Sequence, residues 1–64
     1  MDKEQLKRRI ADRIDADDLF ASQVDGALAA NDMYWLAQLI SDVVGFVIQV
    51  GSEVWGWVSS QFSW

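Results

Sequence analysis

Large apolar side chains dominate the second half of the chain, and the polar or small residues among them recur at alternating steps of four and three. This spacing matches an α-helix, whereas a strand would alternate every two residues. At 100° per residue, the interrupting positions occupy an arc of roughly 120° and leave roughly 240° to apolar side chains. The pattern predicts one long apolar helix over about residues 32–62 with a narrow polar face. We call this face the small-polar stripe, and its members of interest are Gln38, Ser41, Asp42, Gly45, Gln49, Ser52, Glu53, Gly56 and Ser59.

The first part of the chain is more polar and has its own helical pattern. Leu6, Ile10 and Ile14 lie one turn apart, and Asp2 precedes them in the position of a helix cap. We expect a solvated amphipathic helix that packs lightly on its neighbour, with attraction to anionic lipid head groups as an alternative. All the basic residues of the chain lie here and form a basic face of Lys3, Lys7, Arg8, Arg9 and Arg13.

Two junctions interrupt the apolar rhythm, and both are rich in aspartate. Asp15 or Asp17 can cap a short second helix from about Asp18 to Ala30, and Asp32 can cap the long helix. A continuous or kinked helix across either junction stays open. The predicted fold is all-α: one or two short amphipathic helices in a polar segment, residues 1–31, precede the long apolar helix in residues 32–64.

Composition excludes several kinds of chemistry. Without Cys or His, the chain has no disulfide, zinc finger or His-based catalysis, and its net charge of −5 argues against nucleic acid as a partner. On one helix Asp42 and Glu53 would lie about 16 Å apart, too far to act as a carboxylate pair. The acidic run at residues 15–18 lacks the glycine and terminal glutamate of a calcium loop. We therefore expect no enzyme activity, no cofactor, no metal and no small-molecule substrate.

Aromatic residues lie near both ends of the predicted long helix. Tyr34 and Trp35 are at one end, Trp55 and Trp57 at the other, and about 20 residues of helix span about 30 Å, the thickness of the hydrocarbon core of a bilayer. This spacing is typical of membrane-interface anchors and gives a candidate span at about residues 34–57. A chain of 64 residues also has too little protein to cover such a broad apolar face, so the helix needs lipid, a second copy or a partner.

The stripe opposes insertion of a single helix, because Asp42 near the bilayer midplane costs about 2.5–3.5 kcal/mol. Several copies whose stripes face each other would relieve that cost, and Gly45, Ser52 and Gly56 would let their backbones approach closely. The sequence thus favours self-association through the stripe.

The main functional hypothesis is a small membrane protein whose homo-oligomer forms a pore or channel-like assembly with rings of Asp42 and Glu53. Basic residues before the apolar helix place its N-terminus in the cytoplasm. One alternative is a non-conducting single-span accessory or coat subunit on a larger membrane complex. The other is a soluble cytoplasmic helical homo-oligomer or partner-binding module whose stripe faces water.

Overall fold

The computed structural model describes residues 2–62, and all of their regular secondary structure is helical. Helix α1 spans Lys3–Ala16, α2 Asp18–Ala29, α3 Met33–Val44 and α4 Ser52–Gln61. The prediction of an all-α chain is confirmed. The ends of the two predicted segments, Met1 and residues 63–64, lie outside the described residues.

All three predicted helix starts are confirmed, and each follows an aspartate that caps the helix. Asp2, Asp17 and Asp32 precede α1, α2 and α3, and each accepts a hydrogen bond from the backbone N–H three residues later, at 2.8, 3.1 and 3.0 Å. These bonds satisfy N–H groups of the first turn that have no partner inside the helix. Between α2 and α3 the backbone reverses through Asn31, whose φ of 54° lies in the left-handed region. Asparagine tolerates this region better than most residues.

The prediction of a single long helix over residues 32–62 is wrong. Helix α3 ends at Val44, Gly45 takes a φ of 83°, and helical structure resumes only at Ser52. Glycine reaches the left-handed conformation without a Cβ clash, so it ends helices readily. The residues around the break include Val43, Val44, Val47, Ile48 and Val50. β-Branched side chains of this kind lose rotamer freedom in a helix, which lowers the cost of leaving it.

The break allows α4 to fold back and share one core with the other helices. Fully enclosed side chains come from every helix, among them Ile10 of α1, Val24 of α2, Ile40 of α3 and Val58 of α4. The Cα radius of gyration is 10.4 Å, close to the value of about 10.7 Å expected for a folded chain of this length. The chain therefore covers much of its own apolar surface, contrary to the expectation that lipid or a second copy must do so.

Between residues 2 and 62 the structure contains no helix that combines the length and the apolar character needed to cross a bilayer. Helices α3 and α4 have 12 and 10 residues, or about 18 and 15 Å of length against about 30 Å of hydrocarbon. The predicted span at residues 34–57 is wrong because it runs through the break at Gly45. The pore interpretation, which depended on that span, has no support.

Candidate functional site

The four aromatic residues expected at membrane interfaces do not lie at two ends of one helix. Tyr34 and Trp35 belong to α3, whereas Trp55 and Trp57 belong to α4. A Cβ atom added to Gly26 of α2 would lie 3.1 Å from Cη2 of the Trp35 ring, so that ring lies close against α2. Trp55 and Trp57 are half-buried against the core. Tyr34 is the most exposed of the four, with 77% of its surface exposed, and Trp35 keeps 38% of its surface exposed.

The small-polar stripe is divided by the helix break. Its α3 members are Gln38, Ser41 and Asp42, and Gly45 ends that helix; Gln49 lies in the connecting segment, and Ser52, Glu53, Gly56 and Ser59 belong to α4. These residues share no continuous helical face. The structure therefore brings together only part of the predicted set, around the C-terminal half of α3.

Part of the basic face holds α1 to α4. The ammonium group of Lys3 donates a hydrogen bond to Glu53, and that of Lys7 lies 6.0 Å from the centre of the Trp57 ring. The hydrogen bond from Lys3 lowers the pKa of the Glu53 carboxyl, and the pKa of Lys3 is raised by the same contact. Both side chains are largely exposed, so solvent weakens the pair.

The remaining basic residues lie along α1. The guanidinium of Arg13 donates to Asp17 at 3.0 Å and lies 5.7 Å from the centre of the Phe20 ring. The pKa of Asp17 is lowered, first by the backbone N–H of Phe20 and then by Arg13. Arg8 and Arg9 are exposed and form no ion pair with any residue in 2–62. The basic face thus serves largely to attach α1 to α2 and α4.

A groove lies between α3 and the segment that follows it. It has a volume of about 270 Å³ and is open to solvent. Ser41 links its two sides: its hydroxyl donates to the Ala37 carbonyl oxygen at 2.7 Å and accepts from the Ile48 N–H at 3.1 Å. The lining residues are Tyr34, Ala37, Gln38, Ser41, Asp42, Val47 and Ile48.

Large apolar side chains stand exposed around this groove. Tyr34 is 77% exposed, Phe46 51% and Val47 91%. A shallow depression beside the groove is lined by Phe46 and Gly45 and shares Ser41, Asp42 and Val47 with it. We call the groove, this depression and the three exposed side chains the α3 docking surface. It is continuous because the two concavities have three lining residues in common.

Among the described residues that line the α3 docking surface, Asp42 alone has a formal charge. Its side chain is exposed and forms no ion pair with any residue between 2 and 62. Residues 14–62 contain seven acidic residues and no basic residue. The surface is therefore largely apolar, and its one carboxylate has no ion pair within the described part of the chain.

This arrangement is suited to contact with another molecule. The groove is smaller than the roughly 300–1,000 Å³ typical of sites that enclose a small-molecule ligand, and it is open along its length. The described part of the chain has no cluster of three or more acidic groups placed to hold a metal ion. The hydroxyl of Ser41 is engaged in two structural hydrogen bonds.

The sequence pattern identified four lining residues of the groove as candidate site residues: Tyr34, Gln38, Ser41 and Asp42. It placed Phe46 and Val47 only on the apolar face of a continuous helix. The signal that would have identified them is Gly45 itself, since a glycine just after the last helical residue is typical of a helix end.

Comparison of the chain with protein-family models, with curated proteins and with solved structures found no match.

Proposed function

We propose that this chain is a small protein-binding module that docks onto another protein chain through the α3 docking surface. The observation that carries the proposal is the exposure of Tyr34, Phe46 and Val47 around the groove and its adjoining depression. In the same molecule the tryptophans of α4 are half-buried. Contiguous exposed apolar side chains around a concavity are typical of interaction sites.

The free energy of docking would come chiefly from burying these side chains. Removing apolar surface from water contributes about 25 cal/mol per Å², and part of that gain offsets the lost freedom of the two partners. The α3 docking surface is preformed, since the Ser41 hydroxyl of α3 accepts a hydrogen bond from the Ile48 N–H of the segment after it. Little ordering of this surface is needed when a partner binds.

The segment at residues 46–50 also offers backbone groups. Its N–H and C=O groups form no backbone hydrogen bond with other residues in 2–62, and only the Ile48 N–H is used, by Ser41. Buried backbone groups must be paired. A docked chain can satisfy them directly or through retained water.

The test uses a library of random 12-residue peptides displayed on phage and selected on the immobilised chain. We expect enriched peptides whose binding is lost in Val47→Asp, because a carboxylate at this position makes apolar burial unfavourable. The matched control is Leu19→Asp, which makes the same kind of change at a residue that is 69% exposed on α2, outside the groove. Binding should survive in this control.

Enriched peptides that bind Val47→Asp as well as the original chain would show that the α3 docking surface is not the site. Equal loss in both variants would point to a general charge effect and contradict the proposal. Sedimentation of the chain as a dimer that Val47→Asp dissociates would make a second copy the occupant, and a separate partner would then be the wrong assignment.

A further inference from the structure

The charges of this chain are strongly segregated along the sequence, and Asp42 belongs to the part that contains no basic residue. All five basic residues occur before residue 14. Two other carboxylates of the later part are paired with these bases, Asp17 with Arg13 and Glu53 with Lys3. Asp42 has no such partner within the described residues, although it lines both concavities of the α3 docking surface.

From this charge pattern we propose that the partner presents a large apolar side chain next to a lysine or arginine, with the apolar group in the groove and the cation on Asp42. This inference rests on the proposed docking function and names the chemistry of the partner. Electrostatic complementarity of this kind selects among partners and speeds association more than it adds affinity.

A second copy of this chain does not present that combination. Its cations lie on α1, where no large apolar residue is exposed. Its exposed apolar residues Leu19, Phe46 and Val47 lie in the part of the chain that carries only acidic charge. A symmetric dimer through the α3 docking surface would also bring two copies of Asp42 close together without a cation, which costs free energy. This distribution of charged and exposed apolar residues therefore favours a different protein as the occupant.

The position of Asp42 on α3 supports its pairing with a cation of the partner. Gln38 and Asp42 are one turn apart and line the same groove as Val47. A cation one or two positions from an apolar anchor in the groove would therefore reach the Asp42 carboxylate. Exposed ion pairs are worth about 0.2–1 kcal/mol, which corresponds to a change in Kd of up to about fivefold.

The experiment repeats the peptide selection in parallel on the original chain, on Asp42→Asn and on Asp32→Asn. Asp32→Asn removes one negative charge, as Asp42→Asn does, and asparagine also caps helices well. Residue 32 lies about 15 Å along α3 from Asp42. That separation exceeds the Debye length of about 8 Å at 0.15 M salt. We expect peptides enriched in Lys or Arg beside Leu, Phe or Trp on the original chain and on Asp32→Asn, but apolar enrichment alone on Asp42→Asn.

The tightest peptide should bind Asp42→Asn more weakly than the original chain, by up to about fivefold, and bind Asp32→Asn equally well. Peptides without Lys or Arg whose binding is nevertheless lost in Val47→Asp would overturn this inference and leave the docking function standing. Enrichment of Lys or Arg that persists on Asp42→Asn would also overturn it, since the cation would then lie elsewhere. Failure to enrich any peptide would overturn both.

Discussion

Gly45 decides where the second half of the chain stops being helical. Its backbone N–H donates to the Ser41 carbonyl oxygen at 2.9 Å, and its φ of 83° lies where an L side chain is disfavoured. The surroundings leave open space for a side chain, because an added Cβ would meet nothing within 4 Å. The requirement for glycine is therefore conformational and not a matter of packing.

A pair of glycine substitutions separates conformation from packing. We expect Gly45→Ala to lower the free energy of unfolding by about 1 kcal/mol, because alanine is strained in the left-handed region. Gly56 lies inside α4 with open space around it, so Gly56→Ala should raise the free energy of unfolding by up to about 1 kcal/mol through helix propensity. Urea unfolding followed by circular dichroism at 222 nm measures both. The same sign for the two substitutions would contradict the assigned conformation of Gly45.

Single residues also mark the limit of what the sequence predicts. The aspartate caps of α1, α2 and α3 could be predicted because a short acidic side chain before an apolar rhythm has one strongly preferred role. Gly45 was ambiguous, since glycine also suits the close approach of two helices. Its small size gave it a place in a regular stripe, and the stripe concealed the turn.

Helix α4 depends more than the others on side-chain contacts to hold its place. Val58 is fully enclosed in the shared core, and at the other side the contacts of Lys3 and Lys7 with Glu53 and Trp57 join α4 to α1. No side-chain cap is bonded at its start, where Gly51 is the N-cap residue. Its stability therefore comes mainly from burial, as is usual for short helices.

Truncation of the Val58 side chain tests how much its burial contributes to the free energy of unfolding. We expect Val58→Ala to lower the free energy of unfolding by about 1.5 kcal/mol: about 2 kcal/mol from lost burial and the cavity, less about 0.5 kcal/mol from better helix propensity. That is a large share of the roughly 3–10 kcal/mol expected for a chain of this size. The matched control is Val47→Ala, the same change at a residue that is 91% exposed.

Val47→Ala should leave the urea midpoint nearly unchanged. An equal loss of stability in the two variants would mean that Val58 is not buried or that Val47 is, and either result would contradict the placement of α4 and its preceding segment.

The elements differ in how well the sequence specifies them. Helices α1, α2 and the first part of α3 follow from local caps and from apolar spacing within each element. The return of α4 does not, because it depends on contacts between residues far apart, such as Lys3 with Glu53. Periodicity describes the face of an element but not what covers that face, and the apolar residues after Gly45 were therefore assigned to lipid when many of them pack against α1, α2 and α3.

The difference between local pattern and long-range contact also explains how much of the candidate site could be predicted. Gln38, Ser41 and Asp42 were singled out as polar residues on an apolar helix, and they do share a groove. That the groove is closed on its other side by Val47 and Ile48 follows only from the turn at Gly45 and from the bond between Ile48 and Ser41.

The whole molecule should have a pH-dependent stability set by its few charged contacts. The pKa values of Asp17 and Glu53 are lowered on folding, so their contribution is present above their ordinary values of 3.8 and 4.5 and is lost as the pH falls through the folded-state pKa. The pKa of Lys3 is raised from 10.5, so its contribution is present below that value and is lost as the pH rises past the folded-state pKa.

We therefore expect a plateau of stability near neutral pH, with a fall below about pH 4.5 and another above about pH 10.5. Urea midpoints across the pH range measure this profile. Glu53→Gln should reduce both falls, since it removes the partner of Lys3 as well as the carboxyl itself. Asp12→Asn, which removes a carboxylate with no ion pair among residues 2–62, should leave the profile unchanged. A profile that Glu53→Gln does not alter would contradict the pairing of α1 with α4.

The most direct test of the folded-back arrangement is a nuclear Overhauser spectrum of the isotope-labelled chain. We expect cross-peaks between the Trp57 ring and the Lys7 side chain, and between Val54 and Leu6, which line one small cavity between α4 and α1. We also expect the helical i to i+3 cross-peaks to stop at Val44 and to resume at Ser52. Uninterrupted helical cross-peaks across residues 45–51 without any contact between α1 and α4 would contradict the fold, and the α3 docking surface that depends on it.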